Sequence, residues 1–154
     1  MEKLEIKQGN ISHLEDCIEA LTDSEFARIC LTPEKIRRGL TSGLSSGEIF
    51  VALSGDYGCT GYVWIDMSGA FGYPYVRGVA VKSEHRSFGV GKRLLDYFEK
   101  VGFEDNPKVC LLVSDFNIRA KKFYERQGYQ EVVLLPSLFK QDVNEYLMIK
   151  ERSY

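Results

Sequence analysis

Val79-Ala80-Val81-Lys82-Ser83-Glu84-His85-Arg86-Ser87-Phe88-Gly89-Val90-Gly91-Lys92-Arg93-Leu94-Leu95 is the stretch on which the reading of this 154-residue chain turns. Val79 and Val81 alternate as strand residues do, and Leu94, Leu95, Phe98 and Val101 return at roughly helical spacing. Between them, Gly89 and Gly91 leave the backbone bare where a turn enters a helix. The stretch therefore reads as strand, glycine turn, helix. A helix start carries N–H groups without partners in the helix, together with the positive end of its dipole, so it attracts anions. Arg86, Lys92 and Arg93 add mobile positive charge, and phosphate is the natural ligand of such a turn.

Spacing narrows the kind of phosphate turn. A Walker loop needs Gly five residues before its Gly-Lys pair and Ser or Thr after it. Arg86 and Arg93 stand at those places. A dinucleotide fingerprint needs a further Gly three residues after Gly91, where this chain has Leu94. What remains is Arg-x-x-Gly-x-Gly from Arg86 to Gly91, preceded by Val-x-Val. This pattern resembles the coenzyme A pyrophosphate loop of the GCN5-related N-acetyltransferase (GNAT) family. By itself it is also compatible with an ordinary strand-turn-helix capped by glycines.

Length suits one compact domain over residues 1–154, with a real core. A net charge of −2 supplies no basic footprint for nucleic acid. No apolar run approaches the roughly 20 residues of a membrane span, and the first residues do not read as a signal peptide. Cys17, Cys30, Cys59 and Cys110 are scattered, which fits reduced thiols in a cytoplasmic protein. With two histidines, His13 and His85, and no Cys/His cluster, no metal is expected.

In chain order, residues 4–7 read as a strand. Asn10 or Ser12 caps a helix with an Ile11, Leu14, Ile18, Leu21 stripe, and the helical pattern runs on through Phe26, Ile29 and Cys30. Thr32 and Pro33 open another helix, which Ser45-Ser46-Gly47 ends. Three strands follow as an antiparallel meander, at 48–53, 60–66 and 71–81, with turns at 55–58 and 68–70. Pro74 removes a ladder donor and belongs near an edge or where pairing loosens. After the helix that starts at the glycine turn, residues 109–113 form an apolar strand buried on both faces, parallel to the 79–81 strand. Ser114 or Asp115 caps a helix over about 116–127, closed by Gly128. Strands at 129–135 and 144–150 finish the chain, joined by a loop at 136–142. The fold class is α/β, a mixed and mostly antiparallel sheet of about seven strands flanked by helices.

A second motif reinforces the resemblance. Asn117, Ala120 and Tyr124 stand at i, i+3 and i+7 on one helix face, within Asn-x-x-Ala, Phe123-Tyr124 and Gly128-Tyr129. This is similar to the other signature of the same family, and the element order matches the family from end to end. Ser83 and Ser87 depart from it, standing where the family often has Pro and Gly.

The resemblance implies an acetyl-CoA-dependent N-acetyltransferase that acts on a primary amine by direct attack in a ternary complex. It implies that the strand end Val79, Ala80 and Val81 pairs with the pantetheine arm, where the central parallel strands splay. The turn Arg86, Ser87, Phe88, Gly89, Val90, Gly91 and Lys92 would hold the pyrophosphate. Asn117 would hydrogen-bond the arm, Ala120 would let it lie close, and Tyr124 would protonate the leaving thiolate. Some members of the family use a Glu on the long central strand as base, where this chain has Tyr73 and Tyr75 and no carboxylate. Glu48 and Asp66 stand on neighbouring strands, and Glu84 reads as a solvated charge. A water relayed by a tyrosine or entry of the neutral amine are the alternatives, so no general base is named. A non-catalytic acyl-CoA-binding or regulatory module on the same fold is the alternative. Sheet edges and the last strand offer a route to a homodimer, while neither nucleic acid nor a membrane is an expected partner. The acceptor amine is not legible.

Overall fold

A computed structural model describes residues 3–153. The elements are β1 (Leu4–Gln8), α1 (Leu14–Thr22), α2 (Glu25–Cys30), α3 (Pro33–Ser45), β2 (Ile49–Ser54), β3 (Gly58–Ala70), β4 (Tyr73–Val81), α4 (Val90–Gly102), β5 (Lys108–Ser114), α5 (Ile118–Arg126), β6 (Gln130–Lys140) and β7 (Val143–Glu151). Short 3-10 turns occupy Ile11–His13 and Ser83–His85. The strands form one seven-stranded sheet in the order β1-β2-β3-β4-β5-β7-β6. β4 and β5 are parallel, pairing Tyr75 with Cys110 and Val76 with Leu111. β1 with β2, β2 with β3, β5 with β7 and β6 with β7 are antiparallel. The expected mixed sheet, with its parallel pair, is the fold observed.

The chain divides into two compact units, Met1–Ile65 with Gly78–Phe98, and Asp66–Arg77 with Glu99–Tyr154. In the first, helical stripes supply Cys17, Ala20, Ile36, Leu40 and Leu44 to a core shared with Ile49, Val51, Tyr62 and Ala80. α3 is built as its sequence reads: the Thr32 side chain accepts from the Lys35 amide, Pro33 opens the helix, and Gly47 follows its end at φ 78°. Lys82, just beyond β4, binds Asp16 at 2.7 Å and Glu19 at 3.4 Å on α1. Burial works against the ammonium there, and the two carboxylates outweigh it, so the net shift of Lys82 is upward.

In the second unit, β5 is buried on both faces, with Val109, Leu111 and Val113 on one and Cys110 and Ser114 on the other. β7 pairs with it residue for residue from Lys108↔Glu151 to Ser114↔Glu145. Glu99 accepts from Lys150 at 2.7 Å and from the Tyr129 hydroxyl at 3.0 Å, which satisfies three polar groups at once.

Three boundaries differ from the sequence reading. The pattern through Cys30 breaks into two helices, because Ser24 caps a new one by accepting from the Ala27 amide. β3 continues through Ser68, Gly69 and Ala70, and the chain reverses instead at Phe71 and Gly72, both left-handed at φ 53° and 80°. β6 runs on through Pro136 to Lys140, with its register against β7 shifting between Leu135 and Lys140. An outer strand tolerates proline because its free edge needs no donor.

Gly61 on β3 shows how tightly the strand end before the glycine turn is packed. A Cβ there would lie 2.6 Å from the Ala80 carbonyl oxygen and 3.2 Å from the Val81 Cα. Backbone has little room to give, so Gly61→Ala is expected to cost about 1–3 kcal/mol. Denaturant titration checks this, and an unchanged midpoint at unchanged slope would contradict the packing.

Candidate active site

In the first unit, the strand end Val79-Ala80-Val81 leads into the 3-10 turn and then α4. Ala80 is buried in the core. The Arg86 Nε–H donates to the Val81 carbonyl at 2.9 Å, folding the side chain back over the turn it follows. Ser87 and Gly89 are both left-handed, at φ 69° and 83°. For Gly89 this conformation is free of side-chain cost; for Ser87 it is strained. The family pattern's glycine at the Ser87 position thus has a conformational reason. Val90 buries its side chain and anchors the helix start, while Phe88 is 81% exposed. The Arg93 amide bonds the Gly89 carbonyl at 3.0 Å, so the helical ladder begins there. The amides at the head of α4 are the ones that a helix leaves for an outside acceptor.

The charges near this turn are partly engaged. Lys92 pairs with Asp96 one helical turn on, at 2.8 Å, with both side chains well exposed. An exposed pair of this kind holds on the order of 0.5 kcal/mol, little enough for an incoming phosphate to compete. The Arg93 guanidinium donates to the Leu4 carbonyl at 2.9 Å, which gives it a structural task.

In the second unit, Asn117 is itself the N-cap of α5: its side-chain oxygen accepts from the Ala120 amide at 3.3 Å. Neither Ser114 nor Asp115 fills that place. The Asn-x-x-Ala spacing is thus a helix start as well as a candidate binding face. Tyr124 lies in the last turns of α5, edge-on to Tyr129 with ring centroids 6.0 Å apart. The Tyr124 carbonyl accepts from the amides of Gln127 and Tyr129, and Gly128 takes φ 97° to make that closure. The Tyr124 ring keeps some solvent exposure, yet its hydroxyl is surrounded by protein. Burial pushes that phenol up to about 12, so it is protonated at neutral pH.

Residues that the sequence reading did not select stand on the neighbouring strands. Tyr75 and Cys110 face each other across the parallel ladder. The Cys110 thiol donates to the Pro74 carbonyl at 3.5 Å, and burial pushes it up to about 11. Tyr75 is pushed up to about 12, first by burial, then against the pull of Arg77 by Cys110, Glu145 and Tyr124. Glu145 on β7 is 2% exposed and accepts from the Ser114 hydroxyl at 2.7 Å. Burial raises its carboxyl, Asp115 adds to the rise and the Ser114 bond opposes it. One signal was available: alternation puts Glu145 in phase with Leu147 and Ile149, a carboxylate on an apolar row. Of the carboxylates weighed earlier, Glu48 accepts from the Trp64 indole at 3.2 Å, Asp66 accepts from the Ser68 amide at 3.1 Å, and Glu84 is exposed.

The model of the acetyltransferase (GNAT) domain family matches residues 45–131. An uncharacterized N-acetyltransferase from Methanocaldococcus jannaschii is 33% identical over 94 residues, 60% of this chain and 59% of the relative. The chain therefore spans about three fifths of the length of this curated relative. Among solved structures, Ard1 from Thermoplasma volcanium superposes with a TM-score of 0.81 at 19% identity, covering 98% of this chain and 99% of its own. A GNAT-family acetyltransferase from Bacillus cereus gives 0.78 at 14% identity, covering 99% of each chain. An aminoglycoside 6'-N-acetyltransferase complexed with coenzyme A gives 0.74 at 16%, covering 97% of this chain and 99% of its own. At these identities the structures show a shared fold.

Two of the raised phenols carry a pH signature. Tyr75 and Tyr124 titrate near about 12 in the folded chain, against about 10 when unfolded. The stability they contribute is fully present below pH 10 and is lost as pH rises through 12. Tm is expected to fall between pH 10 and 12, and to fall less steeply in Tyr124→Phe. Equal slopes in both proteins would contradict an enclosed hydroxyl.

Proposed function

The chain belongs to the GNAT acetyltransferase family, and we propose that it moves the acetyl group of acetyl-CoA to a primary amine by direct attack in a ternary complex. One observation carries this reading. A left-handed turn opens α4, and the same chain holds a protonated tyrosine on an Asn117-capped helix. Either alone is commonplace. Together they carry the two motifs of the resemblance, and both lie within the span 45–131 that the family's model matches. The solved aminoglycoside enzyme that shares the fold is complexed with coenzyme A, which supports the same ligand here. Matches over 97–99% of the chain support reading residues 1–154 as one such domain.

The residues fit the parts of this co-substrate. The amides over residues 87–92, with Arg86 and Lys92, suit a pyrophosphate. The backbone of Val79, Ala80 and Val81 suits the amides of the pantetheine arm. Ala120 presents little bulk, and Asn117 presents an amide. Acetyl-CoA brings an activated thioester whose leaving group is a thiolate.

Tyr124 supplies the proton that the thiolate needs. With the phenol near about 12 and a free thiol near about 8.5, the transfer is uphill by roughly 5 kcal/mol. The gap narrows inside the site, because the burial that raises the phenol raises a thiol beside it as well. Tyr124 is replenished by the proton that the acylated nitrogen sheds.

The test is a screen of thiol release from acetyl-CoA against a panel of amines. Tyr124→Phe is expected to lower kcat about 100-fold, within the range of general acid catalysis, with acetyl-CoA affinity within about twofold of wild type. Acetyl-CoA binding without transfer to any amine would favour the non-catalytic module. Unchanged kcat in the variant, with chemistry rate-limiting, would remove Tyr124 from the acid role.

A further inference from the structure

Glu145 has no structural reason to be a carboxylate. It is almost wholly buried, and the Ser114 hydroxyl is its hydrogen-bond partner among the described residues. The other charged group acting on it is Asp115, of like sign. A buried ion without a cation costs several kcal/mol and is retained where something repays it. The carboxylates elsewhere in this unit show the ordinary solution: Glu99 holds Lys150, and Glu131 holds Lys121.

Register sets the surroundings of Glu145. Its strand pairs with β5 at Ser114↔Glu145 and with β6 at Leu135↔Glu145. Cys110 lies in phase with Ser114 on β5, and Tyr75 on β4 faces Cys110. Tyr75 feels the charges of both Glu145 and Tyr124.

We propose that Glu145 is the missing partner of the acceptor: it binds the incoming ammonium group and removes its proton. This rests on the acetyltransferase reading. One N–H bond of the ammonium breaks and an O–H bond forms on the carboxylate. The freed nitrogen pair attacks the acetyl carbon, and the C–S bond breaks as Tyr124 gives its proton to sulfur. The nitrogen then sheds a second proton to the Tyr124 oxygen, and Glu145 releases its own to solvent. The balance is one amide, one thiol and one proton. The acceptor class that follows is a primary amine carried on an apolar stem, since Leu135 pairs opposite Glu145 on β6 and Leu147 follows it on the same row of β7.

The raised carboxyl suits the task, because a base is effective when its pKa approaches the working pH. The groups acting on it are the Ser114 hydroxyl at the end of β5 and the charge of Asp115, the residue after that strand. Glu145→Gln keeps the shape and the Ser114 bond while removing the charge. With the best amine of the panel, kcat/KM is expected to fall about 100-fold and to lose its acidic limb, while coenzyme A affinity is unchanged. A fall of less than threefold would overturn the proposal.

A second arm does not need turnover. In protein labelled with carbon-13 at glutamate carboxyls, the Glu145 signal is assigned by its absence in Glu145→Gln. Saturating butylammonium is expected to move its titration midpoint to lower pH, because a bound cation favours the carboxylate. An unmoved midpoint overturns the proposal, even if the amine screen succeeds. A moved midpoint with no acetyl transfer to any amine leaves Glu145 as an ammonium site and removes the acetyltransferase reading instead.

Discussion

Two residue pairs, Tyr75 with Cys110 and Val76 with Leu111, run parallel, and much of the molecule follows from them. Parallel neighbours cannot be joined by a tight turn. They need a crossover of about a dozen residues or more, usually a helix. α4 is that crossover, so the chain must leave β4, turn and start a helix within residues 82–89. An unpaired row of amides beyond the carboxyl end of a central strand is therefore a consequence of topology, and such ends are where α/β sheets hold ligands. Sequence then refines it. Gly89 accepts the left-handed turn, Val90 anchors the helix in the core, and Arg86 and Lys92 bring charge.

The same pairing brings chemistry together in the second unit. Ladder hydrogen bonds place residues of β4, β5 and β7 side by side, whatever their separation in the chain. Tyr75, Cys110, Ser114 and Glu145 meet this way. Their burial removes water, and that is the largest cause of the upward shifts of Tyr75, Cys110, Tyr124 and Glu145. An apolar surrounding keeps acids protonated, which is useful where a proton must be given up only as charge develops on a leaving group.

What the sequence disclosed depended on range. α3 was readable because Thr32, Pro33 and Gly47 act on their own neighbours. The glycine turn and the Asn117–Tyr124 run were readable for the same reason. β3 was misjudged at Ser68-Gly69-Ala70 because turn-forming residues do not turn when a strand partner holds them, and reversal waited for Phe71 and Gly72. Asn117 was placed inside the helix instead of at its cap, since both readings share the same spacing. Pro136 suggested a loop, but an outer strand has no use for its missing N–H. Alternation placed Glu145 on an apolar row, but its partner Ser114 is set by register, which the sequence does not carry: one residue of slip would turn Glu145 to the other face.

The proposed seat of the coenzyme A pyrophosphate is the head of α4. An amide-resolved NMR titration of nitrogen-15-labelled protein with coenzyme A, and separately with ATP and NAD, tests it. Saturable shifts are expected at the amides of Gly89, Val90, Gly91 and Lys92 with coenzyme A, at lower concentration than with either nucleotide. Shifts that spare these amides, or that appear equally with all three ligands, would contradict it.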